Sequence, residues 1–238
     1  MPSEAKTTPR DRLEQREHDI LSAASELFAE FGFNATSTKK IAAKAGVSEG
    51  TVFHYFSNKQ ELLTEIIGKM YADLTHDTNE KIQNILDTKA RLFFLAENHV
   101  KHTAASNALL LRLVYVYINL DMHIFEHLEK TDLYAFNHRY TKIFDAVIKD
   151  GMHRGDLKPD INLSAVRDLF YGGLEYGIRT MMLGHKKGLH ENHVHAIVAP
   201  VWESIRLKKD ITQASSLDQR LELAVQRLED LAKNLPQA

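Results

Sequence analysis

The spacing of apolar residues constrains this chain more than any other feature. From Asp11 onward, Leu13, Ile20, Leu21, Ala24, Leu27, Phe28 and Phe31 fall at the intervals of an amphipathic helix. The same three-and-four rhythm continues downstream, and the alternation that marks a half-buried strand is hard to find. With 5 prolines and 11 glycines in 238 residues, little interrupts it. An all-α fold is predicted, and an apolar content of 44% gives it ample material for a core.

Glycines and small polar residues set the joints. Residues 1–10 read as a disordered tail. Gly32 is a stop for the first helix. Thr36 or Ser37 can cap a second, with Ile41, Ala42 and Ala45 on one face and Lys39, Lys40 and Lys44 on the other. Gly46 ends it. Ser48 then caps a very short helix through about Phe53. Ser57-Asn58-Lys59-Gln60 reads as a capping box that opens a long helix from Lys59 to about Ile85. Helix, glycine-marked turn, helix is the helix-turn-helix pattern, whose second helix enters the DNA major groove. Local charge agrees: between Thr36 and Gln60, Lys39, Lys40, Lys44 and Lys59 stand against a single carboxylate, Glu49. On spacing alone, a solvated helical hairpin is an equal alternative.

The run "TSTKKIAAKAGVSEGTVFHYFSNKQELL" resembles the DNA-binding domain of the TetR/AcrR-type one-component regulators. It carries, in order, a Thr/Ser start, an Ile-Ala-x-x-Ala-Gly-Val-Ser body, Gly-Thr, a ring-rich close, and a Lys followed by Glu-Leu-Leu. The preceding "ILSAASELFAEFGFNATS" resembles that family's first helix. The match covers about residues 18–67, and beyond it the likeness is one of size and helical layout.

The resemblance implies a helix-turn-helix domain over residues 11–67 and an effector-binding and dimerisation domain over 68–210. It implies a homodimer joined by a four-helix interface from about 163–184 and 191–209. Thr38 and Lys39 would lie near phosphate, and Ser48, Glu49, Gly50 and Thr51 would form the groove-facing start of the recognition helix. Gly50 would let the backbone come close, and Thr51 offers a hydroxyl and a methyl to a base edge. His54 and Tyr55 would reach phosphate oxygens, and Lys59 would contact phosphate by charge. Tyr55 reads equally well as a core ring with its hydroxyl at the rim. Val52, Phe56 and Phe53 are expected in the small core, against Leu27, Phe31 and Ile41. Phe53 stands where the family commonly has tyrosine, and Glu49 where a basic or small residue is frequent. Glu49 can accept from cytosine N4 or favour the positive end of the helix dipole.

Beyond Asp87, "KARLFFLAENHVKHT" and "NALLLRLVYVYINLDMHIFEHL" read as long helices, followed by "YAFNHRYTKIFDAVIKDGMHRGDL", broken near its end by Gly151 and Gly155. "LSAVRDLFYGGLEYGIRTMMLGH" and "ENHVHAIVAPVWESIRLKKD" close the bundle. Gly172, Gly173 and Gly177 each lose on the order of 1 kcal/mol of helix propensity against Ala, which points to close packing or room for a ligand. An effector pocket is expected between bundle helices, with Phe93, Phe94, Leu110, Leu113, Tyr117, Phe144, Phe170, Leu174 and Ile178 as candidates. Plain core is the competing reading for most of them. Apart from Arg112, Arg139 and Arg179, few charges interrupt these faces, so an apolar or amphipathic effector is expected, such as an acyl chain with a polar head.

Cysteine is absent, which excludes disulfides and fits a reducing interior. His123 and His127 beside Glu126, and the group His190, His193 and His195, read as surface histidines, so no metal is expected. No phosphate loop or catalytic triad is present, so neither an enzyme nor a cofactor is expected. No apolar run suits a membrane span and the N-terminus lacks a secretory h-region, so the expectation is a cytoplasmic protein. At the C-terminus, residues 211–238 place Leu217, Leu221, Ala224, Leu228, Leu231 and Leu235 on a heptad seam behind the linker "DITQASS". That helix either lies on its own bundle or packs against a partner subunit.

The predicted function is a repressor that binds a palindromic double-stranded DNA operator as a homodimer, with half-sites roughly 34 Å apart. A small effector would release it. The alternatives are a helical small-molecule-binding protein and an architectural DNA binder without an effector.

Overall fold

The computed structural model describes residues 8–120, 127–183 and 191–208, together with Leu221, Glu222 and Val225. Among these residues the fold is helical, and extended structure is limited to one bridge between Leu157 and Arg206. Most of the heptad seam and its linker, and also His123, Glu126 and His190, lie outside the described residues.

Local chemistry sets each boundary of the N-terminal part. Helix α1 spans Pro9–Phe31, two residues earlier than periodicity alone predicts. Thr8 and Asp11 cap each other reciprocally, and Pro9 occupies a first-turn position where its missing N–H has no cost. Helix α2 (Thr38–Ala45) is capped by Ser37, whose hydroxyl accepts from the Lys40 N–H at 3.3 Å. Gly46 closes α2 at φ 69°, in the left-handed region that favours glycine. Thr36, the other candidate cap, is buried instead, donating to the Leu27 and Gly32 carbonyls and locking the turn after α1.

Helix α3 (Glu49–Tyr55) is capped by Ser48. Helix α4 (Lys59–Ile82) is capped by Asn58, one residue later than expected. The Asn58 side chain accepts from the Glu61 N–H at 2.8 Å, and Glu61 reaches back to the Ser57 N–H at 2.6 Å. The Ser57 N–H that Gln60 was expected to accept from is thus taken by the Glu61 carboxylate instead.

Helices α1 to α3 close over Ile20, Leu27, Phe28, Phe33, Ile41, Val52 and Phe56, with Leu62 and Leu63 of α4 sealing the same core. Two expected members are absent from it. Phe53 is 49% exposed and Phe31 is 51% exposed. Val52 and Phe56 lie one helical turn apart and take the inner face. Phe53, about 100° further round α3, turns outward.

The larger part packs around helix α5 (Thr88–Leu120), one continuous helix where the sequence suggested two segments. It lies against α4, α6 (Asp132–His153), α7 (Leu163–Leu183) and α8 (Glu191–Ile205). Gly151 does not break α6. It is buried within that helix, and a Cβ there would fall 2.8 Å from side-chain atoms of both Leu157 and Thr88. The turn comes later, at Gly155, with φ 74°. Gly173 permits the close approach of α7 to Ile197 on α8, where a Cβ would lie 2.9 Å away.

Helix α4 belongs to both parts. Its first turns carry the small core, and its later turns bury Tyr71, Leu74, Thr78 and Ile82 against the bundle. The segment that follows α4 is held by two arginines. Arg91 donates to the Ile85 carbonyl and to Asp150, and Arg154 donates to the Leu86 carbonyl at 2.7 Å. Arg154 also pairs with Asp156 at 3.0 Å, so the far end of α4, the start of α5 and the end of α6 share one polar knot.

Candidate functional site

The outward strip of α3 is Glu49, Gly50, Phe53 and His54, with Thr51 half-buried beside it. Ser48 uses its hydroxyl locally. It accepts from the Thr51 N–H at 3.0 Å and meets the Thr51 hydroxyl at 2.8 Å. Glu49 sits in the first turn of α3, where its charge suits the helix dipole. Its carboxylate also accepts from the Thr38 hydroxyl at 2.6 Å, tying the starts of α2 and α3 together. That contact gives both side chains an intramolecular role that spacing could not reveal, since they are eleven residues apart. A Cβ on Gly50 would meet only the Ser48 hydroxyl, at 3.7 Å. Nothing among the described residues therefore requires glycine there.

The lysines separate by environment. Lys44 pairs with Glu26 at 2.9 Å. Lys40 donates to the Ala35 carbonyl at 3.3 Å and lies over the Phe31 ring. Lys59 donates to the Phe33 and Thr36 carbonyls at 2.8 and 3.0 Å and lies 4.2 Å from the Phe33 ring centroid. Partial burial lowers its pKa. Its charge fastens the turn between α1 and α2 to the start of α4. Among the described residues Lys39 is left exposed without a partner at the first turn of α2, beside N–H groups suited to phosphate. Tyr55 is half-buried, its hydroxyl turned toward the Leu13 carbonyl of α1 at 3.4 Å, while the exposed His54 ring packs edge-on against it. The exposed ring of Phe53 is the surface feature that sequence reasoning placed elsewhere.

A half-open cavity of about 570 Å³ lies between α4, α5, α6 and α7. Among the described pocket candidates, Leu113, Phe144, Phe170, Leu174 and Ile178 are buried core, and Phe93, Phe94 and Tyr117 are half-buried. None of them lines this cavity. Leu110 lies on α5, and its side chain is outside the described set. The wall is aromatic and polar instead. Tyr71, Tyr115, Tyr134, Tyr140 and Tyr171 contribute rings, and Leu111, Val114, Ile118 and Leu133 form an apolar side.

His99 is central to the polar wall. Only 4% of it is exposed, and it stacks on Tyr140 with centroids 5.8 Å apart. Its Nδ1 meets the Tyr140 hydroxyl at 3.3 Å, while its buried Nε2 has no partner. Burial, aided by nearby His102, lowers its pKa to about 3, so the ring stays neutral. The Tyr171 hydroxyl, also buried, lies near enough to Tyr140 for each to affect the other's ionisation, yet it makes no hydrogen bond of normal geometry.

A three-helix reader joined by one continuous helix to a hollow bundle is the architecture of a transcription regulator with a built-in sensor. Comparison with known proteins agrees. Residues 20–66 match the profile of the bacterial regulatory proteins of the tetR family, and residues 67–203 match that of the YsiA-like protein C-terminal region. The fatty acid metabolism regulator protein of Bacillus subtilis (strain 168) is 24% identical over 170 residues, covering 71% of this chain and 84% of that relative. The transcriptional repressor KstR2 of Rhodococcus jostii (strain RHA1) is 28% identical over 157 residues, covering 64% of this chain and 75% of its own length. FadR from Bacillus subtilis, solved with stearoyl-CoA, superposes with a TM-score of 0.66 at 21% identity, covering 79% of this chain and 96% of that one. A regulator from Saccharomonospora viridis, solved with choline, gives a TM-score of 0.68 at 18% identity, covering 82% and 100%. The chain belongs to the tetR family of bacterial transcription regulators. Among the described residues no helix is long and apolar enough to cross a membrane.

Proposed function

We propose that this regulator is a cytoplasmic repressor that grips a palindromic operator as a homodimer and lets go when a small molecule fills the bundle cavity. The observation that carries the reading is the open face of Gly50 between the capped start of α3 and the exposed Phe53 ring. A reading edge that leaves one glycine bare, with the unpartnered Lys39 on the adjoining helix, suits a groove and its phosphates. Thr38, Ser48, Glu49 and Thr51 shape that edge, His54 and Tyr55 lie at its far end, and Lys59 holds the turn behind it.

Dimerisation is supported by α7. Leu169 and Tyr176 are 65% and 63% exposed on one stripe with Gly172, an apolar surface that a second copy would cover. Release requires the ligand to bind the detached arrangement more tightly than the DNA-bound one. The test is fluorescence anisotropy with duplexes from upstream of the protein's own gene, at several salt concentrations. A regulator prefers one duplex over scrambled controls and loses affinity steeply as salt rises. In parallel, Leu169→Asp should convert a sedimenting dimer to monomer. If no duplex is preferred, or if wild type sediments as monomer at every concentration, the corresponding part of the proposal is wrong.

A further inference from the structure

The fold is shared by neighbours solved with stearoyl-CoA and with choline, so fold alone does not choose the ligand. The lining does. Among the described residues, the charged side chains at the cavity are Arg167, Asp168 and Glu175. The Arg167 guanidinium is already engaged, with one nitrogen 2.8 Å from both carboxylate oxygens of Asp145. Glu175 makes no hydrogen bond or ion pair among the described residues. Burial raises its pKa, and its charge acts on the hydroxyls of Tyr71, Tyr140 and Tyr171. A half-buried carboxylate without a partner is less favourable than a solvated one until a cation meets it.

Two further groups are left waiting in the same wall. His99 Nε2 and the Tyr171 hydroxyl are both more than nine-tenths buried and both lack a partner. Neutral His99 can present a lone pair at Nε2 when its Nδ1–H is turned to Tyr140. Tyrosine faces are themselves attractive to positive charge. Among the described residues no lysine and no uncommitted arginine lines the cavity, and His138 at its edge is stacked on Tyr134, so a carboxylate, a phosphate or the pyrophosphate of a coenzyme A thioester finds no fixed positive charge there.

We propose that the cavity selects an amphipathic organic cation, a protonated amine on an apolar body, with Glu175 opposite the ammonium, His99 Nε2 and the Tyr171 oxygen accepting its N–H groups, and Leu111, Val114, Ile118 and Leu133 covering the body. This deepens the effector reading above and rests on the cavity being the effector site.

The experiment is calorimetric titration of the full-length protein, without DNA, with dodecylammonium, dodecyltrimethylammonium, dodecanoate and dodecanoyl-CoA below their micellar concentrations. The ammonium ligands are expected to bind on the order of tenfold or more tighter than dodecanoate and dodecanoyl-CoA. Glu175→Gln, near-isosteric, should remove most of that preference while leaving the circular dichroism spectrum unchanged. His99→Phe should erase the advantage of dodecylammonium over dodecyltrimethylammonium, because only the former has N–H groups to donate. Equal or tighter binding of dodecanoate or dodecanoyl-CoA overturns the proposal, as does undiminished ammonium affinity in Glu175→Gln. A separate anisotropy measurement with the preferred duplex then adds the winning ligand. If the ammonium binds but DNA stays bound, the cation site stands and the release mechanism falls. If neither binds, the cavity is not the site described.

Discussion

Replacing Gly50 by Ala should move stability and DNA affinity in opposite directions. The added methyl meets only the Ser48 hydroxyl, at 3.7 Å, an ordinary contact distance. Gly50 is the second residue of α3, so the substitution also removes a helix-propensity penalty of up to about 1 kcal/mol. The free protein should therefore be as stable as wild type or slightly more so. On DNA, if α3 reads the groove as proposed, the same methyl points into the interface. Forcing a methyl into a packed contact costs about 1–3 kcal/mol, which converts to roughly five- to 150-fold per reader. A homodimer places two readers, so the free-energy loss doubles. No phosphate contact is removed, so the slope of log affinity against log salt should not change. Urea denaturation and anisotropy at several salt concentrations provide the measurements. Unaltered affinity, or a stability loss above about 1 kcal/mol, would refute the argument that Gly50 is bare for the sake of DNA.

Four more predictions follow the same logic. Lys59→Ala should destabilise the folded chain by about 1–3 kcal/mol in urea melts, because the Phe33 and Thr36 carbonyls lose a charged donor; unchanged stability would return Lys59 to a purely phosphate-facing role. Thr38→Val and Glu49→Gln should be non-additive in a double-mutant cycle, by about 0.5–1.5 kcal/mol, since they remove one shared bond. Gly68→Ala places a Cβ 2.8 Å from the Phe136 ring, so it should change operator affinity without touching DNA; chemical-denaturation and anisotropy data together would separate this from simple unfolding. His99 binds its proton less readily folded than unfolded, so its contribution is present above pH 6.5 and is lost progressively toward about 3. Between those values stability should fall by up to about 1.4 kcal/mol per pH unit, partly offset while pH falls toward 4.5 by Glu175, whose raised pKa acts in the opposite sense and adds no slope below 4.5, and His99→Phe should flatten the slope in pH-dependent melts.

The caps and periodicity of the reader were legible because they depend on residues a few positions apart. Ser37, Ser48 and Gly46 act within one turn of themselves. The bond from Thr38 to Glu49 was not legible, because it depends on how two helices cross. Phe53 was misplaced for a related reason. Hydrophobicity marks a residue that gains from burial, but a seven-residue helix has one inner stripe, and Val52 and Phe56 already fill it. The pocket candidates show the same bias. Selecting the most apolar positions finds Phe144, Phe170 and Leu174, which pack fully and so leave no hole. A cavity is walled by side chains that stop short of filling it, here tyrosines and a histidine. The helical class itself was secure, because its period of 3.6 recurs over most of the chain.

The polar knot at the end of α4 has a mechanical consequence. With Ile85 and Leu86 pinned by Arg91 and Arg154, the natural pivot of α4 is its last turn, near Ile82. Tyr71, on the cavity wall, lies roughly 16 Å from that pivot, and Lys59, at the root of the reader, roughly 35 Å, at 1.5 Å per residue. The helix is thus a lever of ratio about two. A ligand that displaces Tyr71 by about 1 Å carries the root of the reader by about 2 Å. In the proposed homodimer, two subunits swinging in opposite senses would alter the span between recognition helices by up to about 4 Å, more than one base-pair rise of roughly 3.4 Å.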